Sequence, residues 1–260
     1  MYGVDTQICP CMHTNVRKKL VSIIFVNAPI GAGKTSLTRM LVADLGTKGF
    51  YEEVDKIPML KEFYAQGEES RNDLSFALQI AFLNYRFGQL REGLHLAERG
   101  IVNTVYDSSL ISDALMSFNL YKRGEFPEIM YNLYVSLNQN MVSDVAGHPF
   151  NGYPDLIVFL DIPFDLMLDH ISKRGRDMED IRKDPKLVDY YYSVWNTYNS
   201  WYDSFGQAPV VRVDMSKYDF VNNLSDRNEV LNLIEQKLVD LGKLTQDEFD
   251  KIKSKRDKEV

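Results

Sequence analysis

Cysteine is scarce in this chain. The 260 residues hold two, Cys9 and Cys11, one residue apart near the amino end. With His13 they offer three candidate metal ligands, short of the four that a closed site needs, so residues 1–20 read as a flexible extension in a reducing cytoplasm. No run of eighteen apolar residues occurs, which excludes an apolar membrane-spanning helix. Met1 to Val16 is polar and irregular and Leu20 to Val26 is a short apolar run, so no signal peptide is expected. Basic surplus is missing as well: 30 Lys and Arg face 37 Asp and Glu, for a net charge of −7. That balance argues against a sequence-independent nucleic-acid binder, which needs a basic surface. It leaves nucleotide binding open, since that takes only a few placed cations. Internal repeats and low-complexity segments are also absent.

What is present suits one large domain. Apolar residues make up 45% and charged residues 26%, ordinary for a globular protein of this length. "VSIIFV", Val21 to Val26, is short, apolar and β-branched, and reads as a strand buried on both faces. "KTSLTRMLVADLG" follows after a glycine loop. Leu37, Met40, Leu41 and Leu45 fall at helical spacing and Gly46 is a plausible stop. Further strands are expected at Ile101–Tyr106, Leu156–Ile162 and Pro209–Val213, with helices between them. That alternation predicts a parallel sheet covered on both faces, with ligands at the carboxyl ends of its strands. Thr245 and Glu248 are spaced as a capping box, so residues 245–260 are expected to be a polar, solvated helix or tail.

The connecting loop, "APIGAGKTS", matches most of the phosphate-loop pattern of glycine, four residues, glycine, lysine and Ser or Thr. Gly33, Lys34 and Thr35 fit, and Gly31 adds flexibility. Backbone N–H groups from Ile30, Gly31, Ala32, Gly33, Lys34 and Thr35 are expected to cradle a phosphate at a helix amino end. Lys34 would reach the β- and γ-phosphates, and Thr35 would offer a hydroxyl to Mg²⁺. Ser36 completes the nucleotide-binding stretch. Ala28 stands where the pattern opens with glycine. It precedes Pro29, which pushes it to an extended conformation that alanine adopts without strain. A carboxylate after a second strand could take a proton from an attacking hydroxyl; Glu52 and Glu53 are the candidates.

The loop, followed by "YEEVDKIPMLKEFY", resembles the deoxynucleoside kinase family, and within it the bacterial deoxyadenosine/deoxyguanosine kinases. The resemblance runs from about Val21 to Leu244. It implies an α/β P-loop kinase fold with a five-stranded parallel sheet, flanking helices and a helical lid, spanning residues 21–244. It also implies ATP and Mg²⁺ as cofactors, a deoxynucleoside (by analogy a purine) as substrate, and a homodimer or a heterodimer with a related subunit. By the same resemblance Glu52 is the general base for the 5′-hydroxyl, Glu53 a surface carboxylate, and Tyr64 a partner of the 3′-hydroxyl.

In "SFALQIAFLNYRFGQL" the apolar residues Phe76, Ile80, Leu83 and Phe87 read as core. Gln79 and Arg86 lie seven apart on one helix face, and the resemblance implies that both meet the base. It places Asp107 at the Mg²⁺ site and Asp113 at the base. Arg174 and Arg176 would close on the transferring phosphoryl group, Glu179 would reach the sugar, and Asp219 and Phe220 would lie near the ATP base. Two positions depart from the family pattern: Ser108 and His170 stand where it has arginines. They keep two other readings in play, a nucleoside monophosphate kinase and a weakly active or regulatory subunit of a kinase dimer.

Overall fold

The computed structural model describes residues 22–53, 57–65, 68–101, 103–147 and 150–258. The extension with Cys9, Cys11 and His13 lies outside them, as does Val21. Five strands form one parallel sheet in the order β2-β3-β1-β4-β5: β1 (Ser22–Asn27), β2 (Lys48–Phe50), β3 (Asn103–Tyr106), β4 (Leu156–Asp161) and β5 (Val210–Asp214). Central β1 shows why the sequence run is continuous rather than alternating. Ile24 and Val26 enter the core on one face of the sheet, while Ile23 and Phe25 enter the core on the other. Burying each such side chain contributes roughly 1.5–3 kcal/mol.

The helices are α1 (Lys34–Leu45), α2 (Met59–Ala65), α3 (Glu68–Glu98), α4 (Leu110–Lys122), α5 (Glu128–Val145), α6 (Phe164–Arg174), α7 (Leu187–Ser204), α8 (Leu224–Asp240) and α9 (Gln246–Arg256). Gly46 ends α1 in the left-handed region, at φ 57, as its sequence position suggests. On α3, Leu83 is buried, and Phe76, Ile80 and Phe87 pack half-buried against the core.

Two expectations need correction. The third strand begins at Asn103, not Ile101, whose side chain is exposed. Buried polar residues open it: Asn103 accepts a hydrogen bond from Ser22. The carboxyl-terminal helix does carry the capping box of Thr245 and Glu248, but it is not simply solvated. Phe249 and Arg256 are buried, and the Arg256 guanidinium donates to Asp44 of α1 and to Glu235 and Asn232 of α8.

Candidate active site

The sheet order sets the site. The loop leaves β1, Asp107 leaves β3 and Glu52 leaves β2, and these three strands are neighbours. Their carboxyl ends open into a cavity of about 1030 Å³, ample for two bound small molecules by the scale of ligand pockets.

The loop owes its shape to two glycines. Gly31 and Gly33 have φ 80 and φ 87, and no other residue type among the described residues has positive φ. Ala28 is fully buried and needs no such freedom. A Cβ on Gly31 would stand 2.9 Å from Ile171, so α6 lies directly against the loop. Its His170 ring nitrogen Nδ1 is 3.2 Å from the Gly31 carbonyl. Beneath Gly33 sits the fully buried ring of Phe220, 3.3 Å from where a Cβ would be. Phe220 thus supports the loop from below and does not line the cavity. Asp219 does line it, beside Ser216, Lys217, Tyr218 and Val221.

The Lys34 ammonium donates to the carbonyls of Ala28 and Pro29, at 3.0 and 3.1 Å. Burial lowers its pKa, while Asp107 and Glu52 pull it back up. Thr35 donates to Asp107. Burial raises the Asp107 pKa, against the pull of Lys34 and Thr35. Hard oxygen donors of this kind fit Mg²⁺. No group of three or more metal-ligating side chains exists among the described residues, so a cation here would take its remaining oxygens from phosphate and water. Ile30, Ala32 and Ser36 complete the cavity wall at the loop.

Across the cavity, Glu52 accepts from Arg86 at 2.8 Å. The same guanidinium donates to Asp113, whose other oxygen accepts from Tyr134 at 2.7 Å. Burial raises Asp113 to about 6, against the pull of Arg86 and the Tyr134 hydroxyl. Burial also opposes the charge on Arg86, but the two carboxylates outweigh it and hold its pKa above the usual value. Gln79 is 3% exposed, and its Oε1 has no hydrogen-bond partner among the described residues. A buried acceptor left unmade is costly, so it points to a ligand group. The segment bearing Glu52 is held from α3, because Tyr85 and Gln89 both donate to the Tyr51 carbonyl. Glu53 is exposed, as expected.

Arg174 and Arg176 both bond Glu179, which is buried. Tyr64 lines the cavity near them. Burial, then Tyr190, Tyr191 and Glu179, raises its pKa well above the ordinary phenol range.

Every site residue that the resemblance implied, except Phe220, therefore lines one cavity. Sequence reasoning missed Arg39, Tyr134, Tyr190 and Tyr198. The tyrosines fall in aromatic helical stretches that read as core, and Arg39 reads as an exposed helix face.

The family described as deoxynucleoside kinase matches residues 24–240. The chain belongs to that family. A deoxyadenosine kinase of Lactobacillus acidophilus is 35% identical over 86% of this chain and 100% of its own length. A deoxyguanosine kinase of Lactobacillus johnsonii is 38% identical over 87% of this chain and 97% of its own length. Among solved structures, a deoxyadenosine kinase from M. mycoides with bound dCTP superposes with a TM-score of 0.64 and 19% identity, covering 82% of this chain and 99% of the other. The same enzyme with bound dATP gives 0.63 and 22%, over 84% and 99%. These superpositions show the shared fold. Membership makes this kinase an enzyme that phosphorylates deoxynucleosides.

Proposed function

We propose that this kinase transfers the γ-phosphoryl group of ATP to the 5′-hydroxyl of a purine deoxynucleoside. One observation carries the reading: Glu52 and the glycine loop share a cavity whose inner wall holds the unpartnered amide oxygen of Gln79. An amide both donates and accepts, which suits a base edge. The names of the two Lactobacillus relatives, kinases of deoxyadenosine and deoxyguanosine, support a purine.

In this reading the loop amides and Lys34 hold the triphosphate, with Lys34 exchanging the Ala28 and Pro29 carbonyls for phosphate oxygens. Glu52 accepts the proton of the 5′-hydroxyl. The new bond joins that oxygen to the γ-phosphorus, the bond to the β-bridging oxygen breaks, and ADP leaves. Thr35 and Asp107 would hold Mg²⁺, which would supply positive charge to offset that of the phosphates. Arg174 and Arg176 turn from Glu179 toward the transferring group, and Glu179 with Tyr64 holds the 3′-hydroxyl. The lid excludes water, so ATP is not spent on hydrolysis. Asp219 and its neighbours after β5 face the ATP base, with Phe220 supporting the loop.

Residues 21–244 form the kinase domain in this account, with 1–20 as an extension and 245–260 as a carboxyl-terminal segment that carries the docked helix α9. A homodimer or a heterodimer with a related subunit is supported by apolar side chains exposed on α4 and α5, among them Ile129 at 78% and Leu133 at 50%. A need for ATP supports the cytoplasm. No described helix is long and apolar enough to cross a membrane. A monophosphate kinase is disfavoured, because Arg86 at the acceptor end is already engaged by two carboxylates. The test is an ATP-dependent screen over the four deoxynucleosides and their monophosphates. Turnover of deoxyadenosine or deoxyguanosine is expected, and turnover of monophosphates alone would refute the reading.

A further inference from the structure

Arg86 does more than base recognition requires. Its guanidinium forks between carboxylates that follow two different strands. Nη1 holds Asp113 near the start of α4, and Nη2 holds Oε2 of Glu52 at 2.8 Å. Tyr134 steadies the far oxygen of Asp113. A line of side chains thus runs from Tyr134 through Asp113 and Arg86 to Glu52. Ser108 is buried at the wall of the same cavity and brings a hydroxyl without charge. Lys34, whose field also reaches Glu52, is bonded to loop carbonyls. Among the described residues, Arg86 is the one cation hydrogen-bonded to Glu52.

We infer that Arg86 is the positioning residue of Glu52. It anchors Oε2 and so leaves Oε1 to meet the acceptor hydroxyl. It also gives the reacting centre a permanent cation, which Ser108 cannot. The inference rests on the kinase reading above and extends it. Because one planar fork serves both carboxylates, a base seated against Asp113 is felt at Glu52. Lysine, a point charge on a flexible stem, cannot span both.

The test is kcat and KM for deoxyadenosine in the wild type, Arg86→Gln and Arg86→Lys, each with and without Ser108→Arg. Arg86→Gln is expected to lower kcat by about 100-fold, the scale of losing one preorganised electrostatic contact, and to raise KM. Arg86→Lys keeps a charge beside buried Asp113 and so keeps the fold; it is expected to lower kcat at least about tenfold, as misplacement of a reacting group does. Ser108→Arg in either background is expected to recover most of kcat while KM stays high, since the cation returns to Glu52 but not to the base wall. A rise in KM with kcat unchanged overturns the inference. So does a fall in kcat that Ser108→Arg leaves unrepaired. A wild-type protein that phosphorylates no deoxynucleoside overturns the kinase reading itself, and the inference with it.

Discussion

The hydroxyl of Thr35 donates a hydrogen bond to the carboxylate of Asp107. The bond ties the first turn of α1 to the end of β3 and sets two hard oxygens at the floor of the phosphate loop. Asp107→Asn keeps the shape and removes the charge. The Mg²⁺ concentration for half-maximal rate is expected to rise about 10- to 100-fold, the usual cost of losing a group that orients a metal site. Initial rates across a Mg²⁺ titration give the answer. An unchanged titration curve would take Asp107 out of the metal site.

The loop's glycines and Ala28 make opposite predictions. Gly33 has φ 87 with the Phe220 ring behind it. Gly33→Ala therefore costs about 1–2 kcal/mol of strain and should weaken ATP binding by about 5- to 30-fold, read by calorimetry. Ala28 has no positive φ. Ala28→Gly should bind ATP within about twofold of the wild type, and at most lose some stability through the added backbone freedom of glycine.

Gln79→Leu should separate stability from substrate binding. The ligand-free protein loses an unsatisfied buried acceptor, so its thermal midpoint should hold or rise. With the amide gone, discrimination between bases in kcat/KM should fall by about 10- to 100-fold. Retained discrimination would move base reading elsewhere.

The ion cluster under α9 gives a pH signature. Burial raises Glu235 from 4.5 to about 7, against the pull of Arg256. Between those values the native state holds a proton that the unfolded chain has released. The stability from this group is thus complete below about pH 4.5 and is lost as pH rises through about 7. Denaturant midpoints over that range should show the slope, and Glu235→Gln should flatten it. Arg256→Ala should cost about 3–5 kcal/mol, because it strands the buried carboxylate of Glu235.

The sequence made some parts of this molecule plain and hid others for physical reasons. Strands β1 and β4 are buried on both faces, so they appear as unbroken apolar runs. Three-residue β2 begins with exposed Lys48 and has too little length for any period to show. Asn103 and Thr104 of β3 are buried but polar, and they form the strand's first half, so apolar character alone does not mark where it starts. The glycine loop was legible because its chemistry needs fixed residue types at fixed spacing. Tyr134 was not, since nothing in a helical aromatic sequence says that its hydroxyl meets Asp113 across the fold. Arg256 misled for the same reason: its partners lie in α1 and α8, far away in sequence.

The central claim is that Glu52 takes the proton from a 5′-hydroxyl across the cavity from Lys34. Glu52→Gln tests it most directly, measured with saturating ATP and deoxyadenosine alongside calorimetric binding of each. The account predicts a fall in kcat of about 10²- to 10⁴-fold, the range for a general base, with both ligands still bound. A Glu52→Gln enzyme that turns over at the wild-type rate would contradict it.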